Sequence, residues 1–272
     1  MKNILVPTDF SETANAAAEV AATIAKKTNS TIYLLHVVNL LEYGDEDEVS
    51  KKLFVMKLVK KKMDALIAQP FFEGVNVVVA LQFELIYEQI WKHAKQHDID
   101  LIVMGTHGIN GISDMFLGSN TQKVVRMAEC PVLTVKGKPE HFNFSNIVFA
   151  SDFGAETEKI FWKISELIKA YDSKIHLLRV CTAFDFEVTD NAIERMEAFA
   201  KKLHLKNYTV NIYNAKQIES GIIKFSNSVK AGLAAIGAHG RTGWDMLIIG
   251  SKAENVVNSS NIPILSIQIP RD

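Results

Sequence analysis

The chain has 272 residues, of which 48% are hydrophobic and 22% charged, enough to bury substantial cores in one large domain or two ordinary ones and unlike a disordered or collagen-like chain. Lys and Arg number 30 against 31 Asp and Glu, so no overall basic field exists to draw in nucleic acid. No apolar run approaches the ~20 residues of a membrane span, and the apolar stretch in MKNILVPTDFSE is too short for a signal peptide, so the expectation is a cytoplasmic protein with no membrane partner.

In chain order, residues 2–6 form a short apolar run suited to a buried strand. Ser11 and Glu12 then open an alanine-rich helix to about Lys27. Residues 31–38 read as a second strand, followed by a polar helix over about 47–68. A third strand is expected at 75–81 and a helix from about Glu84 to His97. A fourth strand over 101–104 ends at Gly105, Ser119 caps a helix to about Ala128, and 132–135 is the last strand. Strands alternating with helices predict parallel βαβ units with right-handed crossovers, covered on both faces. The fold class is therefore α/β, a Rossmann-like doubly wound sheet. Ligands of such sheets sit beyond the carboxyl ends of the strands, where strand order reverses.

The chain then repeats itself. Ile4-Leu5-Val6-Pro7-Thr8-Asp9-Phe10 returns as Ile147-Val148-Phe149-Ala150-Ser151-Asp152-Phe153, and Ile32-Tyr33-Leu34-Leu35-His36-Val37 as Ile175-His176-Leu177-Leu178-Arg179-Val180, both at an offset of 143. Gly105-Thr106-His107-Gly108 returns as Gly237-Ala238-His239-Gly240 at 132, an offset kept by Gly118-Ser119 with Gly250-Ser251 and by Pro131 with Pro263. The register slips by 11 between Val37 and Gly105, and the expected place is Glu42 to Lys62, whose acidic opening (Glu42, Asp45, Glu46, Asp47, Glu48) has no counterpart. Two copies in one internal order indicate duplication. Gly and Pro in 137–143 mark the break, giving domains of roughly 1–138 and 144–272. Two cysteines are too few for a disulfide framework; Cys130 pairs in the repeat with Ile262, so it and Cys181 read as small buried apolar residues.

Three features fall at carboxyl ends of strands: Pro7-Thr8-Asp9, Val37, and Gly105-x2-Gly108-x9-Gly118-Ser119, which leads into a helix. Glycine lets backbone amides approach phosphate oxygens, and a helix N-terminus adds unpaired N–H groups with a positive partial charge. Asp9 is placed to accept from a ribose hydroxyl. A mononucleotide is the natural candidate, with its phosphates near Gly108, Gly118 and Ser119.

These residues resemble the universal stress protein family, in its ATP-binding branch, whose signature is G-x2-G-x9-G-[ST]. The first copy matches with Gly105, Gly108, Gly118 and Ser119, the second with Gly237, Gly240, Gly250 and Ser251, and VPTDFSE and HVV also look like the family. The resemblance implies a five-stranded parallel sheet of order 3-2-1-4-5 in each copy. It also implies ATP (or ADP or AMP) as ligand, with magnesium as the companion ion. Pro7, Thr8, Asp9, Val37, Met104 and Gly105 would then surround adenine and ribose, while Gly108, Gly118, Ser119, Asn120 and Thr121 would hold phosphates. In the second copy Asp152, Val180 and the three glycines remain, yet Pro7-Thr8 becomes Ala150-Ser151, His36 becomes Arg179, and Asn120-Thr121 becomes Lys252-Ala253. Whether that copy binds nucleotide stays open. Single domains of the family pair through their last strand, so 132–135 and 264–267 are expected to join the copies as an internal pseudo-dimer, leaving further dimerisation open.

Plainer readings stand beside these. Asp9 and Asp152 also read as caps of the following helix, a role that can coexist with the favoured ligand contact, and His107 and His239 read as rings that order the glycine loop. His93 and His97 have metal-ligand spacing, but WKHAKQHD offers no third ligand and reads as a solvated face, as does the cluster Lys57, Lys60, Lys61, Lys62. No GxxxxGK[ST] string is present, and no Ser-His-Asp or Cys-His set assembles, so no catalytic residue is assigned. The leading expectation is a stress-associated regulator that binds an adenine nucleotide and an unidentified protein partner. The alternatives are slow ATP hydrolysis or autophosphorylation near Ser119 or Ser251, and an interaction module with vestigial pockets.

Overall fold

The computed structural model describes residues 1–38, 48–106, 118–137, 143–238, 260 and 262–268. In the first half, β1 (Asn3–Pro7), α1 (Glu12–Thr28), β2 (Thr31–Val38), α2 (Glu48–Ile67), β3 (Val77–Phe83), α3 (Ile86–Gln96), β4 (Leu101–Gly105), α4 (Ser119–Met127) and β5 (Val132–Val135) alternate as expected. The second half follows with β6 (Asn146–Ala150), α5 (Thr157–Trp162), α6 (Ser165–Tyr171), β7 (Lys174–Cys181), α7 (Thr189–Lys202), β8 (Tyr208–Asn214), α8 (Ile218–Ser228), β9 (Leu233–Ala238) and β10 (Ile264–Gln268). Strands are parallel within each half, in the order 3-2-1-4-5. The two sheets are not separate, however. β10 lies antiparallel to β5, Leu265 opposite Leu133, so the described strands form one ten-stranded sheet.

The seam is sealed on both sides of the strands. The buried Thr134 hydroxyl donates to the Ile264 carbonyl at 3.1 Å. Lys163 Nζ donates to the Glu129 carbonyl at 2.6 Å, the Tyr171 hydroxyl to the Thr23 carbonyl at 3.3 Å, and the amino terminus meets the Glu166 carboxylate. One apolar core runs beneath α1, α2, α5, α6 and α7, from Ile4 and Val6 through Leu133 and Leu265 to Ile147 and Phe149. Two smaller cores lie on the opposite face of the sheet, one in each half.

Helix α1 shows why the first half is regular. Ser11, in extended conformation, accepts from the Ala14 N–H, and Asn29 closes the helix in the left-handed region at φ 54°. Its buried alanines, Ala14, Ala17, Ala18, Ala21 and Ala25, let it lie close on the sheet. In the second half Ile160, Phe161 and Ile164 stand where the first has Ala17, Ala18 and Ala21. Phe161 packs edge-on against Phe149 and Phe199, and the single helix becomes α5 and α6.

Strand pairing also refines the repeat. Ile32 pairs with Val77 and its counterpart Ile175 with Tyr208, so the offset falls from 143 to 131 before the third strand. It returns to 132 by the fourth, where Leu101 answers Leu233. The second half thus loses twelve residues between its second and third strands. It regains one in the turn before α8, where Ala215, Lys216 and Gln217 replace Glu84 and Leu85. The third strand itself starts two residues later than expected, because Pro70–Phe72 makes a 3-10 turn and Gly74 takes φ 75°.

Candidate functional site

β1, β2 and β4 are neighbours in the sheet, so their carboxyl ends bring Thr8, Val37 and Gly105 to one edge. The turn after β1 is built from its own side chains. The Thr8 N–H donates to the Leu35 carbonyl at 2.8 Å, and Thr8 Oγ1 accepts from the Phe10 N–H at 3.0 Å, with Phe10 at φ 66°. Asp9 Oδ1 accepts from the Ser11 N–H at 3.0 Å. The helix cap is therefore Ser11; Asp9 shapes the turn that delivers it. His36 Nδ1 lies 2.7 Å from the Thr8 carbonyl, and its ring packs 4.7 Å from that of Phe10. Burial holds the His36 imidazole below its usual range, against the opposing pull of the Thr8 carbonyl and the Asp9 charge. A neutral ring with its proton on Nδ1 fits that bond.

The glycine loop is anchored at its neck. The Gly118 N–H donates to the Thr106 carbonyl at 2.8 Å, and the Thr121 hydroxyl donates to the Gly105 carbonyl at 3.0 Å. The N-cap of α4 is Gly118, without a side-chain cap bond, and Ser119 is the first helical residue rather than the cap expected for it. The N–H groups of Ser119, Asn120 and Thr121 open this helix, where backbone donors lack intrahelical partners. Gly105 has a second reason to be glycine: a Cβ there would lie 2.9 Å from the Thr13 carbonyl carbon in the first turn of α1. Met104 is buried under α4 with Val124 and Val125. Gly108, His107, Gly240, Gly250, Ser251, His239, Lys252, Ala253 and the acidic residues 42–47 lie outside the described residues.

In the second half the turn has the same chemistry. Ser151 Oγ accepts from the Phe153 N–H at 3.2 Å with Phe153 at φ 57°, and Asp152 Oδ1 accepts from the Gly154 N–H at 2.9 Å. Like Asp9, Asp152 serves the turn and does not cap the helix. The flank differs. Arg179, buried to 4% exposure in the place of His36, puts Nη2 2.8 Å from Asp185 and Nε 3.4 Å from Glu187, and Arg195 adds a 2.6 Å contact to Glu187. On the other face α8 presses closely on Val180: a Cβ on Gly221 would lie 2.5 Å from Val180 Cγ1. Val180 is 0% exposed where Val37 is 9%.

Two histidines depart from the sequence reading. His93 is buried, not solvated, because it faces inward from α3; its ring lies 4.2 Å from that of His97 and 5.9 Å from that of Tyr33 on β2. No group of three or more His, Cys, Asp or Glu able to hold a metal occurs among the described residues. Cys181 is buried, while Cys130 is half-buried with its thiol pushed up to about 11 by burial. Sequence reasoning missed His36 as the support of the Thr8 turn and Arg179 as the centre of an ion cluster. The histidine-to-arginine difference between the repeats was the available signal.

A doubly wound α/β protein is thus defined, with the Thr8 turn, Val37 and the start of α4 gathered at the strand ends beside the reversal of strand order, where sheets of this class bind ligands. The Universal stress protein family model matches residues 1–136 and again 143–268, so the chain belongs to the universal stress protein family, in tandem form. It is 25% identical over 297 aligned positions to universal stress protein Slr1230 of Synechocystis sp., covering 98% of this chain and 100% of that one. Universal stress protein MJ0531 of Methanocaldococcus jannaschii is 34% identical over 145 residues, spanning 51% of this chain and 84% of its own. The crystal structure of a universal stress protein from Archaeoglobus fulgidus superposes with a TM-score of 0.70 at 21% identity, covering 98% of this chain and 96% of that one, which supports the shared fold. No helix among the described residues is long and apolar enough to cross a membrane.

Proposed function

We propose that this chain is a stress-associated regulator whose first domain binds an adenine nucleotide, ATP foremost. Its nucleotide state would bias conformation or choice of protein partner through unequal affinity for two states. The observation that carries the reading is the Gly118-to-Thr106 neck, which sets the N-terminus of α4 at the carboxyl end of β4, next to the Thr8–Asp9 turn of β1. In this reading Pro7, Thr8, Asp9, Val37, Met104 and Gly105 enclose adenine and ribose. Gly108, Gly118 and the amides of Ser119, Asn120 and Thr121 take the phosphates, which carry any magnesium. Thr121 gives its N–H, since its hydroxyl donates to Gly105.

The second domain, in this reading, leaves its site empty. Val180 is pressed by α8 and fully buried, so Asp152, Val180, Gly237, Gly240, Gly250 and Ser251 keep the motif beside a tighter wall than that at Val37. Calorimetric titration with ATP should therefore give one equivalent per chain, and mass spectrometry of nucleotide released from the purified protein should identify its phosphate number. Gly118→Asp, which sets a negative charge at the helix N-terminus, should abolish binding, whereas Asp152→Ala should leave it unchanged. Two equivalents, or none, would refute the assignment. Single-turnover phosphate release equal to that of Gly118→Asp would favour a ligand role over hydrolysis.

A further inference from the structure

The two halves expose unlike patches at equivalent places. α2 joins the second and third strands of the first half, and the segment 182–207, containing α7, does so in the second. The inner sides of both helices, Val59, Met63 and Leu66 on α2 and Ala192, Met196, Phe199 and Ala200 on α7, enter the same continuous core. Their outer sides therefore lie on one face of the molecule, toward opposite ends of the sheet. On α2, Leu53, Phe54 and Leu58 are 55%, 63% and 46% exposed, and the exposed Lys57, Lys60 and Lys61 flank them. At the other end Phe184 is 100% exposed, Phe186 80% and Val188 53%, flanked by exposed Asp190, Glu194 and Glu197. Helical spacing aligns Leu53, Lys57 and Lys60 in one stripe and Asp190, Glu194 and Glu197 in another.

The second patch is held outward by its own chemistry. Along Phe184-Asp185-Phe186-Glu187, the carboxylates turn in to the buried Arg179 while the aromatic rings face water. That is the reverse of the polarity that folding a lone chain favours, and contiguous apolar surface rimmed by charge marks an association site. The edges of β5 and β10 are already joined to each other within the chain. We propose that two copies of this chain form a two-fold dimer in which α2 of each docks on the 184–197 patch of the other. One isologous interface then carries two identical contacts, apolar at the centre and basic against acidic at the rim.

The proposal stands apart from nucleotide binding and is tested by exchanging charge on the full chain. Light scattering and sedimentation should show a wild-type dimer at micromolar concentration. The pair Lys57→Glu with Lys60→Glu, and separately Asp190→Lys with Glu194→Lys, should each weaken self-association by about tenfold or more, since like charges then face each other. In an equimolar mixture of the two variants both contacts become complementary again, so a mixed dimer should form with close to wild-type affinity. That rescue also shows that both variants are folded. A wild-type monomer, or a mixture that fails to restore the dimer, overturns the proposal. So does a monomer that binds anionic phosphatidylserine vesicles and loses them with Lys57→Glu, which would assign α2 to a lipid surface instead.

Discussion

Replacing Gly105 with alanine separates two reasons for that glycine. As a nucleotide contact, it would matter only when ligand is bound. As a packing element, it matters always, because the new Cβ would stand 2.9 Å from the Thr13 carbonyl carbon and 3.0 Å from both its oxygen and Oγ1. Comfortable separation is roughly 3.5–4.0 Å, so α1 must retreat by about 0.6–1 Å or β4 must bend. Overpacking of this kind costs about 1–3 kcal/mol, and a domain-scale protein loses roughly 2–4 °C of Tm per kcal/mol. The nucleotide-free variant should therefore melt about 2–12 °C lower by calorimetry. The shift also disturbs the Ser11 cap and the Asp9 turn it follows, so nucleotide affinity should fall as well. A nucleotide-free Gly105→Ala protein with unchanged Tm would refute the packing argument, whatever became of its affinity.

Arg179→Met should cost about 3–5 kcal/mol in urea unfolding, because it removes a buried guanidinium that faces both the Asp185 and Glu187 carboxylates. Arg179→Lys should recover little, since an ammonium cannot span both carboxylates. Burial and the charge of His97 push His93 down from its ordinary 6.5 to about 4. The folded ring therefore stays neutral where the unfolded chain already takes a proton. Stability should be whole above pH 6.5 and fall as pH drops toward 4. His93→Leu should flatten that slope, and an unaltered pH profile would discount the ring. Gly221→Gln, which copies Gln89 of the first half, should destabilise the second domain by about 1–3 kcal/mol through collision with Val180.

The periodic features were legible because they are local. Apolar strands, the Ser11 cap and the repeat itself follow from side-chain patterns that tertiary contacts did not override. The deletion of twelve residues and the gain of one were seen only as a net slip of eleven. A sequence offset sums every change between two landmarks, and strand register separates them. Gly105 was read through the motif alone, since nothing near it in sequence announces the approach of Thr13 from α1. His93 misled for a related reason: lysines and glutamine around it describe the outer face of α3, while the ring points at Tyr33 on a strand sixty residues earlier. The split of α5 from α6 was written in the replacement of alanines by Ile160, Phe161 and Ile164, but only the packing of Phe149 and Phe199 gives it meaning.

The two copies agree in some places and differ in others for local reasons. The Thr8 and Ser151 turns keep the same bonds, each with a phenylalanine at positive φ, because the chain must leave its first strand the same way in both halves. The fifth strands pair with each other within one chain, so a change in one half no longer alters both sides of that seam. Two positions beside the strand ends differ between the halves. Arg179 stands where His36 supports the turn and holds the Asp185 and Glu187 carboxylates, while Gly221 lets α8 lie close against Val180. The same arginine that occupies this flank also turns Phe184 and Phe186 outward. The clamp on this flank and the outward Phe184 and Phe186 are thus two sides of one local arrangement, which the first half, with His36 against the Thr8 carbonyl, does not share.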